Sequence, residues 1–140
     1  MKYVLDSCVA FKWVVPETDS DRAIQLRDET RSGLHELVVP GIFGAEVAHA
    51  LTRAERQNRV SNADGWRLWC AVLTEPLAVE DYTPLMPRAY AIASKARIGV
   101  YDCLYVALAE RESCELLTAD TKLWTNLSST FPFLVRLETW

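Results

Sequence analysis

The sequence predicts an α/β protein of one domain, with a parallel sheet covered by helices on both faces. Two observations carry this. Short apolar, strand-like runs alternate with stretches of helical period along the whole chain, and the 140 residues show no repeat, low-complexity tract or linker at which to divide them. Strands joined by helical crossovers lie parallel, and a parallel sheet is buried on both sides.

The elements follow in order. Lys2–Leu5 is an apolar run ending at Asp6 and reads as a buried strand. Cys8–Val15, apolar apart from Lys12, reads as a short helix stopped by Pro16. Thr18 or Ser20 caps the next helix, in which Ala23, Ile24 and Leu26 face inward, and Ser32-Gly33 ends it after Arg31. Glu36–Val39 is a second strand, closed by Pro40-Gly41. Ile42–Gln57 is a long helix with Phe43, Val47, Ala50, Leu51 and Ala54 at helical spacing. Ser61 caps a further helix through Thr74, with Asp64 completing a loose capping box. Leu77–Val79 is a third strand. Leu85–Arg97 is a helix that follows Pro84 and stops at Gly99. Asp102–Arg111 is a helix with Leu104, Val106, Ala107 and Leu108 inside. Glu115–Thr118 is a strand, Lys122–Leu127 a short helix and Phe133–Leu137 a final strand.

Composition narrows the function. Half the residues are hydrophobic and about a quarter charged, which is globular rather than disordered. The 15 basic and 19 acidic side chains leave a net charge of −4, which counts against a protein that coats nucleic acid non-specifically but not against a nuclease with clustered acids, and basic groups must be grouped if RNA is to dock. Cys8, Cys70, Cys103 and Cys114 contain no C-x-x-C pair, and with two histidines in the chain a zinc site is not expected. Reduced cysteines used as small core residues suit a cytoplasmic protein. No stretch reaches the roughly 18 apolar residues of a membrane span, and Asp6 and Lys12 break the amino-terminal apolar run that a signal peptide would need.

Four acids stand out by position. Asp6 follows the first strand and Asp120 follows Glu115–Thr118, and ligands of open parallel sheets bind beyond the carboxyl ends of the strands. Asp102 opens a helix and Glu46 lies in the first turns of the long helix, so both approach the same edge. Singly, each has an ordinary reading as a helix cap, a turn residue or a solvated acid. Jointly they are costly: two carboxylates about 4 Å apart repel by roughly 4 kcal/mol at an effective dielectric near 20. Hard divalent ions such as Mg²⁺ or Mn²⁺ neutralise such an oxygen cluster.

Val4-Leu5-Asp6-Ser7, Phe43-Gly44-Ala45-Glu46-Val47, the run Tyr101-Asp102-Cys103-Leu104-Tyr105-Val106-Ala107-Leu108-Ala109, and Leu117-Thr118-Ala119-Asp120 occur in that order. In order and approximate spacing they resemble the PIN domains, especially the VapC toxins, over Lys2 to about Leu137. The resemblance implies a three-layer α/β/α sandwich, hydrolysis of RNA phosphodiester bonds, a VapB-type antitoxin and a homodimer. It implies that Asp6, Glu46, Asp102 and Asp120 form a catalytic, metal-holding quartet, with Asp6 and Asp102 nearest the metal and Ser7 and Thr118 in support. Cys8 departs from it, standing where relatives often carry a small hydroxyl residue. Water activated by Mg²⁺, or by Mn²⁺, would leave 5′-phosphate and 3′-hydroxyl ends.

Other chemistries lack their parts: there is no phosphate loop, dinucleotide loop or nucleophile elbow. A haloacid-dehalogenase phosphatase also begins with strand and Asp, but it wants a second Asp where Cys8 stands. A receiver domain wants a downstream Lys that Lys122 fits poorly. A catalytically silent RNA-binding or interaction module on the PIN fold is the rival of another class. For RNA docking the candidates are Lys12, beside Asp6, and the stripe Glu46, His49, Arg53, Arg56 on the long helix, which otherwise reads as a solvated face. The five tryptophans, Trp13, Trp66, Trp69, Trp124 and Trp140, could stack on RNA, but core or interface packing is expected for most of them, and Trp66 and Trp69, three apart on one helix, offer a subunit contact.

Overall fold

The structure is a computed structural model, and it describes residues 1–140. The chain runs β1 (Lys2–Leu5), α1 (Ser7–Phe11), α2 (Ser20–Arg31), β2 (Glu36–Pro40), α3 (Phe43–Arg56), α4 (Asn62–Leu73), β3 (Leu77–Glu80), α5 (Met86–Ala96), α6 (Val100–Glu112), β4 (Glu115–Thr118), α7 (Thr121–Leu127) and β5 (Leu134–Arg136). All strand pairs are parallel, in the order β3-β2-β1-β4-β5. The chain therefore builds outward from β1 on one side and then returns to build on the other. Right-handed crossovers put α1–α4 on one face and α5–α7 on the other. The parallel sheet covered on both faces that the alternation predicts is what forms, as the three-layer α/β/α sandwich the resemblance implies.

Burial follows from composition. Val4 and Leu5 of β1 and Leu116 and Leu117 of β4 are fully enclosed, as central strands of a doubly covered sheet must be. In α6 every residue from Cys103 to Ala109 is buried, because the helix is caught between β1 and β2 on one side and α5 on the other. A helix wrapped in this way has no polar face. Only its two ends emerge: the last turn carries Glu110 and Arg111, and the first turn carries Asp102.

Several boundaries differ from the sequence reading. The helix expected over Cys8–Val15 ends at Phe11, and Lys12–Val15 continue as turns. The pre-proline position disfavours helical geometry at Val15, and the Trp13 indole turns inward to donate to the Ala23 carbonyl at 2.8 Å. The helix carrying Asp102 begins two residues earlier than expected, after an extended Gly99, so Asp102 sits inside the first turn instead of opening it. The last strand is shorter, Leu134–Arg136 rather than Phe133–Leu137. No helix is long and apolar enough to cross a membrane.

Candidate active site

The order of the strands makes the site. Because the chain reverses its direction of growth at β1, the loops leaving β1 and β4 diverge and open a crevice at the carboxyl edge between them. Asp6 leaves β1 there and Asp120 lies just beyond β4. Asp6 is buried, its backbone N–H still on the ladder to the Leu117 carbonyl at 3.0 Å. It caps α1 by accepting the Cys8 N–H, and Asp120 caps α7 by accepting the N–H groups of Lys122 at 2.8 Å and Leu123 at 3.1 Å. Glu46 and Asp102 lie in the first turns of α3 and α6. All four acids therefore stand at helix amino termini, where free N–H groups and the aligned peptide dipoles offset negative charge.

The charges act on one another. Burial pushes the Glu46 carboxyl up to about 7, with Asp6 and Asp102 adding to it. Burial likewise raises Asp102 to about 6, followed by Asp6 and Asp120. Asp6 is raised too, again mainly by burial, with Asp120 contributing and the Thr118 hydroxyl opposing. No cationic side chain is among the groups acting on these three. Asp6 thus acts on both Glu46 and Asp102, and Asp120 on both Asp6 and Asp102, across one sheet edge. The carboxylates do not close to coordination distance: no group of three or more His, Cys, Asp or Glu is near enough to hold an ion. The donor chemistry nevertheless fits Mg²⁺ or Mn²⁺, being all oxygen, acidic and without a protein counter-charge.

Supporting groups fix the acids. Thr118 donates its hydroxyl to Asp6 Oδ2 at 2.6 Å and accepts the Asp120 N–H at 3.0 Å, so one side chain ties two of the acids together. Ser7 reaches Asp6 Oδ1 at 3.5 Å. Cys8 keeps a polar role despite its chemistry: its sulfur accepts the Ala119 N–H at 3.3 Å and lies 3.8 Å from the Thr118 hydroxyl.

Tyr105 was missed as a site residue. Its buried hydroxyl donates to Glu46 Oε1 at 2.5 Å, holding the α3 acid from α6. Its own ionisation is pushed far above the usual phenol range by burial, then by Glu46 and Asp6, so it stays a donor. The available signal was spacing, since Tyr105 lies three residues after Asp102 and shares its helix face.

An open groove of about 810 Å³ runs over the acids, lined by Glu46, Asp102 and Asp120 with Arg53, Tyr82 and Tyr101. Among the proposed RNA-docking residues, Arg53 reaches this groove, and Arg56 is exposed on the next turn of α3. Lys12 is held elsewhere, its ammonium paired with Glu17 at 3.4 Å and donating to the Thr18 carbonyl at 2.9 Å. A second cavity, about 690 Å³, lies at the opposite edge of the sheet, and two of its three acids, Glu110 and Glu112, are already paired with Arg88, Lys2 and Arg111, leaving Glu115.

A family model of the PIN domain matches residues 3–126. The chain belongs to the PIN-domain family. This PIN domain is 33% identical to Ribonuclease VapC3 of Pyrobaculum aerophilum, over 96% of this chain and 98% of that protein. It is 30% identical to Ribonuclease VapC1 of Mycobacterium tuberculosis, over 85% of this chain and 90% of the relative. A crystal structure from P. aerophilum superposes with a TM-score of 0.73 at 22% identity, covering 99% of this chain and 85% of that one. A toxin–antitoxin complex from Klebsiella pneumoniae contains a chain of the same fold, with a TM-score of 0.64 at 14% identity, covering 96% of this chain and 97% of that one. Membership of the PIN family removes the haloacid-dehalogenase and receiver readings of the strand-end Asp6.

Proposed function

We propose that this PIN domain is a metal-dependent endoribonuclease, the toxin of a VapBC-type pair, acting on RNA in the cytoplasm as a homodimer and held in check by a VapB-type antitoxin. The observation that carries the chemistry is the acid cluster itself: at one sheet edge Asp6, Glu46 and Asp102 are all raised, mainly by burial, with Asp6 acting on Glu46 and Asp102, Asp102 on Glu46, and the Asp120 charge on Asp6 and Asp102. The VapC relatives, named ribonucleases, support the substrate, and the toxin–antitoxin complex of the same fold supports the partner.

A divalent cation, when bound, supplies a water of lowered pKa and positive charge beside a phosphate. Asp6 and Asp102 are the residues that would hold it, with Glu46 and Asp120 completing the oxygen set. Thr118 keeps the Asp6 carboxylate aimed and links it to Asp120. Tyr105 keeps Glu46 from turning out to solvent. Arg53 stands at the groove wall where a flanking phosphate passes.

The test is cleavage of labelled single-stranded RNA. Activity is expected with Mg²⁺ or Mn²⁺ and lost in excess chelator, with 5′-phosphate ends on the products. Asp6→Asn and Asp102→Asn should each cost about 10²–10³-fold in rate while circular dichroism stays that of the folded protein. RNA binding without cleavage under any metal would instead establish the silent PIN-fold module.

A further inference from the structure

The groove over the acids continues. Ser7, His49 and Arg53 line both it and an adjoining hollow of about 440 Å³. Beyond them the hollow is walled by Lys12, Gln57 and Arg59, all hydrogen-bond donors, and by one carboxylate, Glu17. Glu17 stands on the loop between α1 and α2 and divides its two oxygens between two cations. Oε1 faces Lys12 Nζ at 3.4 Å and Oε2 accepts from Arg59 Nη2 at 3.0 Å.

The two cations come from different elements and each has a second anchor. Lys12, just after α1, also donates to the Thr18 carbonyl at 2.9 Å. Arg59, beyond the end of α3, has its guanidinium 5.8 Å from the centre of the Phe11 ring. They are thus held as a pair with a single anion between them. A phosphodiester presents the same pattern to such a pair, two oxygens on one centre sharing one negative charge. The Arg59 side chain is 40% exposed and Glu17 29%, so an incoming anion reaches the pair from the Arg59 side, where little is lost when the contact exchanges partners, while Lys12, 12% exposed, stands behind.

We propose that Lys12 and Arg59 form a binding subsite for an RNA backbone phosphate flanking the cleavage site, and that Glu17 fills it in the free protein as an internal stand-in which that phosphate displaces. The subsite rests on the nuclease reading above and extends it along the strand. The path from the quartet to the subsite runs past His49, Arg53 and Gln57, and Glu17 is the one acid of the hollow. In an acidic protein such self-occupancy lowers affinity for any single phosphate and favours a strand that reaches the metal site and the subsite together.

The experiment is fluorescence anisotropy with an end-labelled single-stranded oligoribonucleotide, in excess chelator and across a KCl series. Glu17→Gln should bind about two- to five-fold more tightly than the unmodified protein. Lys12→Ala and Arg59→Ala should bind more weakly, and each should flatten the slope of log affinity against log salt by about 0.7. In the Arg59→Ala background the gain from Glu17→Gln should vanish, since the two act through one contact. Glu110→Gln removes the same charge at the opposite edge and should change nothing. The subsite is overturned if Glu17→Gln binds no more tightly, if Glu110→Gln tightens binding equally, or if the gain survives without Arg59. A lower melting temperature for Glu17→Gln with unchanged affinity would make Glu17 a loop fastener only. If the unmodified protein neither binds RNA in this assay nor cuts it with Mg²⁺ or Mn²⁺, the subsite and the nuclease reading fall together; if it cuts RNA with metal but binds none in chelator, the subsite alone falls. If it binds and cuts RNA while Glu17→Gln is no tighter, the subsite alone falls.

Discussion

Tyr105 and Thr118 show how single hydroxyls organise a charged site. Each is buried, and each donates to a carboxylate that burial has made reluctant to ionise. A donor to the ionised form lowers a carboxyl's pKa, so the Tyr105 hydroxyl restrains the rise that burial imposes on Glu46. Tyr105→Phe keeps the ring packed and removes only this bond. It should cost about 1 kcal/mol of stability, move the Glu46 titration further upward and shift the acid limb of the cleavage profile to higher pH. A pH–rate profile of the variant checks this. An unshifted profile would mean that Tyr105 merely packs.

At the scale of elements, four helices each bring an acid to the same edge from their first turn or cap. The arrangement lets peptide N–H groups carry part of a charge load that the protein does not otherwise balance. It leaves a signature in the metal-free protein. Glu46 near 7 and Asp102 near 6 both lie above their ordinary values, so the folded state prefers them protonated. That preference is fully met below the usual carboxylate range and is lost as pH rises through the folded-state values. The melting temperature in chelator should therefore fall between about pH 5 and about pH 8, and excess Mg²⁺ should offset the fall because it binds the ionised form. Calorimetry across that range, with and without Mg²⁺, measures it. Helix α3 carries a second expectation along its exposed face. Replacing Arg53 and Arg56 by Ala should weaken RNA binding and flatten its salt dependence while leaving Mg²⁺ binding nearly unchanged. Unaltered affinity across a salt series would leave that stripe a solvated face.

On the surface of the molecule, α4 presents an apolar patch. Trp66 is 69% exposed and lies against Trp69 at 5.0 Å between ring centroids, while the Trp69 indole is fixed to the Gly44 carbonyl at 2.9 Å. Leu73, 41% exposed, is on the same face of α4 two turns on. An indole pinned at one edge and a second one free above it form a preordered apolar patch, which suits the subunit contact of the proposed homodimer. Light scattering should give twice the 15.9 kDa chain mass, and Trp66→Ala should shift it toward the monomer. A monomer at micromolar concentration in the unmodified protein would remove this contact. The other tryptophans are occupied: Trp13 in the core, Trp124 under Arg136, and Trp140 against Tyr3 and His35.

The sequence by itself determined the class of fold, the elements and their order, because hydrophobic period and turn chemistry are local properties. It also marked the four acids, since a strand end and a helix start can be read from neighbours a few residues away. It set the end of the first helix too late and the start of the Asp102 helix too late, because Trp13 is turned by a carbonyl ten residues on and α6 is shaped by burial on all sides. Only the tertiary structure decided what crosses between elements. The Tyr105–Glu46 bond spans 59 positions, the Thr118–Asp6 bond 112, and the Arg59–Glu17 pair 42. Such contacts depend on which strand lies beside which, and strand order is set by packing the whole sheet. Lys12 shows the consequence: beside Asp6 in sequence it reads as a free cation at the site, yet the α1–α2 loop folds Glu17 back onto it.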